Sequence, residues 1–284
     1  MSLVVNTNVA SMNAQRSLMH SSRELQSAME RLSSGKKINS AADDAAGFAI
    51  AESMTAQIRG LSMAAKNAND GLSLLKVVEN ATNDVTDMLQ RIRELAVQAQ
   101  SGTNSSEDVA NLQLEAEALL AEITRVSTDT TYNGVKYLGT QAGSVSIQVG
   151  YKDGDTISIT TNAIDAKSLS LKIDPATSST DIYVDASGYL DISSATALST
   201  ISSAIDTLAG YKAKWGAGQN RLQYTVSNLM NVVEFTTAAR SRIQDADFAV
   251  EAARLAKAQV LQQTGTAMLA QANASPQLAI SLLS

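Results

Sequence analysis

The chain has 284 residues, of which 44% are hydrophobic but only 4% aromatic, and its formal net charge is -6. The excess of acidic residues excludes the broad basic surface that binds nucleic acid or an anionic membrane, so we expect neither as a partner. The absence of cysteine excludes disulfides and thiolate metal sites, and no run of apolar residues is long enough to span a membrane.

Two long helices are predicted at the start of the chain, which has only two prolines in all. Residues 1–34 repeat leucine every seven positions, a spacing typical of a helix that pairs with another. Gly35 ends this helix, and Ser40, with an acidic residue three positions later, gives a capping-box-like start to the next. Residues 43–100 are predicted to form this second helix, because apolar residues recur at alternating spacings of three and four, as in the Met54–Leu75 stripe.

A third helix and a change of pattern follow. Ser105 and Asp108 can cap the third helix. Residues 132–194 are rich in Ser, Thr, Asp and Gly and contain alternating apolar residues such as Ile157 and Ile159, which predicts short strands and turns. Two further helices are predicted after them. The predicted fold class is mainly α, with long antiparallel helices in a rod-like coiled-coil bundle and a small β-hairpin region in the middle of the chain. Spacing alone also allows an ordinary helical bundle with a β insert.

Both ends of the chain lack charge. The first charged side chain is Arg16 and the last is Lys257, which leaves residues 258–284 without any. These ends are too polar for lipid and too uncharged for the free surface of a monomer. An interior shared among subunits suits them, because amides can form hydrogen bonds there and no charge loses its water. We therefore expect residues 1–34 and 248–284 to be poorly ordered in the monomer and to order on polymerisation. The alternative is a pair of neutral, frayed tails.

Residue types that carry catalysis or bind metals are scarce. His20 is the only histidine, and its polar surroundings indicate a solvated helix residue. The zinc-protease motif, the usual serine triad and a cysteine nucleophile are therefore excluded. Residues 152–155 predict a hairpin turn rather than a calcium loop, because they lack spaced acidic ligands and a closing Glu. We predict no catalytic residue, no metal site and no cofactor.

Six segments of the chain are similar to motifs of the bacterial flagellin family, in the family's order and spacing. They are LSSGKKINSAADDAAGFAIAE (Leu32–Glu52), QRIRELAVQ (Gln90–Gln98), TYNGVKYL (Thr131–Leu138), GQNRLQYTVSNL (Gly218–Leu229), SRIQDADFAVE (Ser241–Glu251) and AQVLQQTGTAMLAQAN (Ala258–Asn273). The resemblance implies a secreted structural subunit, without catalytic activity, that polymerises into the extracellular bacterial flagellum.

The resemblance also implies how the chain is divided and handled. Residues 1–42 with 244–284 would form an inner-core helical domain lining a channel as a coiled coil. Residues 43–140 with 195–243 would form an outer-core helical rod with a β segment, and residues 141–194 a short variable region. The chain would be exported unfolded by the flagellar type III apparatus. Its implied partners are copies of itself, an export chaperone, the filament cap protein and the hook–filament junction proteins.

Two sets of site residues are predicted. In the family, the residues matching Arg91, Leu95 and Glu115 engage the flagellin-sensing Toll-like receptor of the host, which implies that the monomer is a ligand for that receptor. The same residues would also serve packing between subunits. The second set follows from the apolar pattern of the terminal helices and is predicted to act in polymerisation: Leu18, Leu25, Leu32, Phe248, Leu255, Leu261 and Leu269.

Two other interpretations stay open at this point. A hook–filament junction protein shares the terminal helices, although the intact QRIRELAVQ and SRIQDADFAVE segments favour a filament subunit. An intracellular helical scaffold that binds a partner helix belongs to a different class. Such a scaffold needs charged exposed ends, which this chain lacks.

Overall fold

The computed structural model describes residues 7–139, 141–172 and 188–281, with side chains as far as residue 275. These residues form five helices and one two-stranded antiparallel sheet, together with the segments that connect them. The helices are α1 (Val9–Ser34), α2 (Ala45–Ala99), α3 (Ser106–Asp129), α4 (Ala197–Gln244) and α5 (Phe248–Ser281), and the strands are β1 (Ser144–Gln148) and β2 (Thr156–Thr160). The predicted fold class, mainly α with a β-hairpin in the middle of the chain, is confirmed.

The chain divides into two compact units. Unit 1 comprises Met1–Ile58 and Glu234–Ser284, and unit 2 comprises Arg59–Val233. Both divisions fall inside long helices, so α2 and α4 each contribute to both units. The three domains predicted from the resemblance have other boundaries, and that division stays a prediction.

The core of unit 2 lies between α2, α3 and α4. The apolar stripe of α2 enters it at Ala68 and Leu75, and Leu61 of the same stripe lies in a separate small cluster; all three are almost fully buried. α2 and α4 run antiparallel, since Leu61 shares a small apolar cluster with Leu229 whereas Leu75 lies beside Gly218. This part of the stripe therefore faces the interior, as its three-four spacing predicts.

The β-hairpin packs on the same core. Asn67 on α2 donates a hydrogen bond from Nδ2 to the carbonyl oxygen of Gln148 at 3.2 Å. Trp215 on α4 donates from Nε1 to the carbonyl oxygen of Thr160 at 2.9 Å. Gly71 leaves room for the hairpin on α2, because a Cβ at this position would clash with an isoleucine of β1. Alternate isoleucines of the two strands are buried: Ile147, Ile157 and Ile159.

The ends of α1 and α2 follow from local sequence, with one difference from expectation. Gly35 ends α1 in the left-handed conformation, with φ of 68°. At the start of α2, the carboxylate of Asp44 accepts a hydrogen bond from the backbone N–H of Gly47 at 3.0 Å. Ser40 instead donates from its backbone N–H to Asp43 at 3.0 Å and holds the preceding turn. The expected cap is therefore displaced by one turn, because Asp44 lies closer to the first helical residue.

Asp108 makes the start of α3 sensitive to acid. The hydroxyl and then the backbone N–H of Ser105 donate to its carboxylate, at 2.6 and 3.1 Å, and lower the pKa of Asp108 below its usual value of 3.8. Because this pKa is depressed in the folded chain, the stabilisation is complete above the unfolded-state pKa, about 4, and is lost as pH falls through the folded-state pKa. We expect Asp108→Asn to lower the urea midpoint of unfolding at pH 6, and this deficit to shrink towards pH 3.5.

Glu107→Gln is the matched control for this experiment. It removes a charge from the same first turn of α3 but leaves the capping box of Ser105 and Asp108 intact. A deficit of the Asp108 variant that grew on acidification, or that the control reproduced, would contradict the assignment.

Candidate functional site

α1 and α5 pair antiparallel in unit 1. Asn8, at the start of α1, donates from Nδ2 to the carbonyl oxygen of Ala272 at 2.7 Å. Ten residues further along, Leu18 lies against Gly265. The N- and C-terminal helices therefore form one helix pair, as the heptad spacing predicts.

The interface between these helices, called the seam below, alternates leucines with small residues at most positions, and Glu251 and Gln262 on α5 are neither. Its buried and half-buried positions recur at spacings of three and four on each helix, the pattern of a coiled coil. The leucines are only half-buried, because two helices alone do not enclose them. The seam consists of Ser11, Ala14, Leu18, Ser21, Leu25, Ala28 and Leu32 on α1, and of Glu251, Leu255, Ala258, Gln262, Gly265, Leu269 and Ala272 on α5.

The seven residues predicted for polymerisation fall into two groups. Five belong to the seam and pair α1 with α5 within one chain: Leu18, Leu25, Leu32, Leu255 and Leu269. Phe248 and Leu261 lie off the seam, where they are 71% and 39% exposed. The role of both groups in polymerisation stays a prediction. Only the second group is free on the surface of the pair.

Sequence reasoning misses further exposed apolar residues on this helix pair. Each is more than half exposed: Val9, Met12 and Met19 on α1, and Val260 and Met268 on α5. Together with Leu261 we call them the outer apolar residues. Met12 and Met19 are seven positions apart, and so are Leu261 and Met268. This second heptad series, out of phase with the seam, is the signal that could have found them.

The predicted receptor residues lie in unit 2, where Arg91 on α2 and Glu115 on α3 form an ion pair. Nε and Nη2 of Arg91 each lie 2.9 Å from Oε1 of Glu115. Nη1 of Arg91 donates to Oε2 of Glu94 at 3.1 Å. The hydrogen bonds to Glu94 and then to Glu115 raise the pKa of Arg91 above its ordinary value, so the guanidinium stays charged. Both partners are about half exposed and accessible to another protein.

Leu95 has a different environment from the other two predicted receptor residues. It follows Arg91 by one helical turn, but its side chain is fully buried in the core of unit 2. The structure thus brings Arg91 and Glu115 together and places Leu95 beneath the surface. Beside Arg91 an open groove is lined by Gln90, Arg93, Glu94, Val97 and Ile205.

In the described part of the chain, no three His, Cys, Asp or Glu side chains lie close enough together to hold a metal ion. His20 is exposed, and its Nδ1 lies 3.7 Å from Oε1 of Glu24. In the same residues, no helix has the length and apolar character needed to cross a membrane.

Two family models match the chain at its two ends. The model described as bacterial flagellin N-terminal helical region matches residues 5–142, and the model described as bacterial flagellin C-terminal helical region matches residues 198–283. A flagellin of Xenorhabdus nematophila is 42% identical, over 100% of both chains. The chain belongs to the bacterial flagellin family. A flagellin of Halalkalibacterium halodurans is 40% identical, over 99% of this chain and 100% of the relative.

Membership of the flagellin family gives the chain its general role. Flagellins are structural proteins and not enzymes, and they polymerise into the extracellular flagellar filament. The chain is therefore a filament subunit, as the six segments indicate. The crystal structure of Bacillus cereus flagellin is 27% identical, with a TM-score of 0.46 over 58% of this chain and 88% of that one.

Proposed function

We propose that the outer apolar residues of α1 and α5 are a surface through which subunits join in the filament. The observation that carries the proposal is their exposure on helices whose outer ends are uncharged, since no charged side chain precedes Arg16 and none follows Lys257. Fully burying one large apolar side chain contributes roughly 1.5–3 kcal/mol. Neighbouring subunits would supply this burial. Because residues 258–275 carry no charge, burying them would remove no charge from water.

Polymerisation would also complete the half-buried seam. Ordering a helix costs roughly 1–2 kcal/mol per residue in conformational entropy, and one helix pair with exposed apolar residues offsets little of it. We therefore infer that residues 1–34 and 248–284 order fully only between neighbouring subunits. Residues 1–42 with 244–284 would then form the inner core and line the channel, and residues 43–140 with 195–243 would form the outer core.

Two interpretations that the sequence left open are disfavoured. The similarity to flagellins extends over the whole chain, which supports a filament subunit rather than a hook–filament junction protein. An intracellular scaffold would need charged exposed ends, whereas the outer apolar residues lie where such charges would be expected.

The steps before polymerisation follow from family membership as part of this proposal. The chain would pass unfolded through the flagellar type III apparatus after release from an export chaperone. It would fold at the filament tip beneath the cap protein, in a filament that begins at the junction proteins. The composition is compatible with this passage, because a chain without cysteine needs no oxidative folding after export.

Leu261→Glu tests the assembly surface, and Leu261→Gln is its matched control. Both side chains suit a helix and have nearly the same size, so the pair isolates the charge. Burying the carboxylate between subunits costs several kcal/mol. We expect the Gln variant to form filaments after salt-induced assembly, and the Glu variant to stay in the supernatant on sedimentation. Equal sedimentation of both variants would contradict the proposed surface.

A second function is supported by the exposed Arg91–Glu115 pair. We propose that the monomer binds the host Toll-like receptor for flagellin through Arg91 and Glu115. Leu95 supports this site from the core by fixing the helix beneath it. An exposed Arg held by two carboxylates is preorganised, and Arg is frequent among the residues that dominate binding energy at interfaces.

Arg91→Ala is expected to weaken binding of the monomer to the receptor ectodomain by about 1 kcal/mol or more, at least about fivefold in Kd. The measurement is a titration of folded monomer followed by calorimetry. Arg125→Ala is the control, because Arg125 is also an exposed Arg that pairs with two carboxylates, those of Glu122 and Asp129. An unchanged Kd for the Arg91 variant would remove this residue from the site.

A further inference from the structure

The apolar packing of the seam is compatible with more than one alignment of α1 along α5. Leu18 lies against Gly265. Seven residues make about two turns, so the same antiparallel alignment places Leu25 level with Ala258. If α5 slipped by seven residues, Leu18 would face Ala258 or Ala272 instead. Both are small, so the leucine-against-small pattern survives either slip.

One of the small-residue positions of α5 holds a charged residue instead. Glu251 occupies a position of the small-residue series, and its side chain is only 5% exposed. Its Oε1 accepts hydrogen bonds from Nη1 of Arg31 on α1 at 3.4 Å and from Nη1 of Arg254 at 2.9 Å. Arg254 is on α5 and moves with Glu251. Only the pairing with Arg31 therefore depends on how the two helices are aligned.

Neither slipped alignment gives Glu251 a cation on α1. Seven positions before Arg31 is Glu24, so the slip that brings Leu18 to Ala258 sets two carboxylates against each other. Seven positions after Arg31 is Ile38, a buried apolar residue beyond the end of α1. In either slip Glu251 keeps Arg254 but loses Arg31, so its buried carboxylate is less well compensated, and like charges at an interface act against the wrong pairing.

Backbone hydrogen bonds also join the bases of these helices. The N–H of Lys37 donates to the carbonyl oxygen of Gln244 at 2.7 Å, and the N–H of Ala246 donates to that of Gly35 at 3.0 Å. These bonds hold the bases of the two helices in the native alignment. Two contacts between side chains also depend on the alignment, the buried ion pair and the exposed hydrogen bond from Oγ of Ser11 to Oδ1 of Asn273 at 2.7 Å.

We propose that the Arg31–Glu251 ion pair selects the register of α1 and α5. A buried polar residue that fixes register at some cost in stability is well known in coiled coils. A slip of seven residues moves one helix by about 10.5 Å along the other. It would carry the outer apolar residues of α1 away from those of α5. This consequence for the filament rests on the proposed assembly surface, whereas the register itself is a property of the single chain.

The chain has no cysteine, so an engineered pair of cysteines can report the register by forming a disulfide, and no native thiol interferes. Leu18→Cys with Gly265→Cys reports the native register, since a Cβ at 265 would lie 3.9 Å from that of residue 18, a separation that suits a disulfide. Leu18→Cys with Ala258→Cys or with Ala272→Cys reports the two slips. Oxidation is carried out under conditions in which the native reporter closes in the otherwise unchanged chain.

The test variant is Arg31→Met/Glu251→Met, and Glu122→Met/Arg125→Met, which removes an exposed ion pair from α3, is the control. In the unchanged and control chains we expect only the native reporter to close. In the test variant the yield of a slipped reporter should rise at least about fivefold at unchanged helix content by circular dichroism. A fivefold change corresponds to about 1 kcal/mol in the free-energy difference between the two registers.

A second variant guards against a test variant that does not fold. Glu24→Arg/Arg31→Glu moves the cation seven positions along α1 and is expected to favour the Ala258 reporter. If only the native reporter closes in both variants, the proposal is overturned. Sedimentation of the same variants tests the assembly surface separately. Slipped chains that still form normal filaments would contradict the assembly surface and leave the register assignment standing.

Discussion

Deletion of residues 258–284 is expected to abolish filament formation while unit 2 stays folded. The deletion removes the outer apolar residues of α5 and most of its half of the seam, and it touches no residue of unit 2. Assembled filaments should disappear from electron micrographs after salt treatment. The urea midpoint of the tertiary core, followed by near-ultraviolet circular dichroism of Trp215, should be unchanged.

The Leu261→Gln chain serves as the comparison, because it retains residues 258–284 and carries only a neutral change in them. Normal polymerisation of the truncated chain would show that assembly does not depend on α5. Loss of the near-ultraviolet signal would show instead that the deletion unfolds unit 2.

Trp215→Ala is expected to lower the free energy of unfolding of unit 2 by about 3–5 kcal/mol. Trp215 is 2% exposed and packs beside Tyr211, with ring centroids 6.1 Å apart. Its loss leaves a large cavity between α4 and the β-hairpin and leaves the carbonyl oxygen of Thr160 without its hydrogen-bond donor. The measurement is urea unfolding followed by far-ultraviolet circular dichroism, since the chain has no second Trp for fluorescence.

Two further substitutions separate the causes of this loss. Trp215→Phe keeps an aromatic ring but removes the indole N–H, so a smaller deficit, about 1–3 kcal/mol, is expected. Tyr224→Ala removes a mostly exposed ring from the same helix and should change stability by about 0.5 kcal/mol or less. A Trp215→Ala deficit no larger than that of Tyr224→Ala would contradict the role given to Trp215.

Much of the fold could be predicted because its signals are local. The three-four spacing around Leu61 and Leu75 marks one face of a helix whatever covers that face, and the structure buries it. Gly35 ends α1 because a residue without a Cβ adopts φ of 68° readily. Alternating isoleucines likewise identify the hairpin, since residues two apart in a strand share a face.

The surfaces could not be predicted as completely, because spacing does not say which partner covers a face. Leu18 and Leu261 are both apolar residues of terminal helices, yet one lies in the seam and the other is exposed. The resemblance groups Leu95 with Arg91, whereas packing in the core of unit 2 decides that Leu95 is buried. The Arg31–Glu251 contact joins residues 220 positions apart, a distance over which local sequence carries no signal.

The outer apolar residues of α1 and α5 are proposed to join subunits in the filament. The most direct test is an electron cryomicroscopy structure of filaments assembled from this chain, at a resolution that shows side chains. We expect five side chains to be buried against neighbouring subunits, with Leu18 against Gly265 inside each subunit: Met12, Met19, Val260, Leu261 and Met268. Filaments in which these five side chains face the channel or the outer solvent would contradict it.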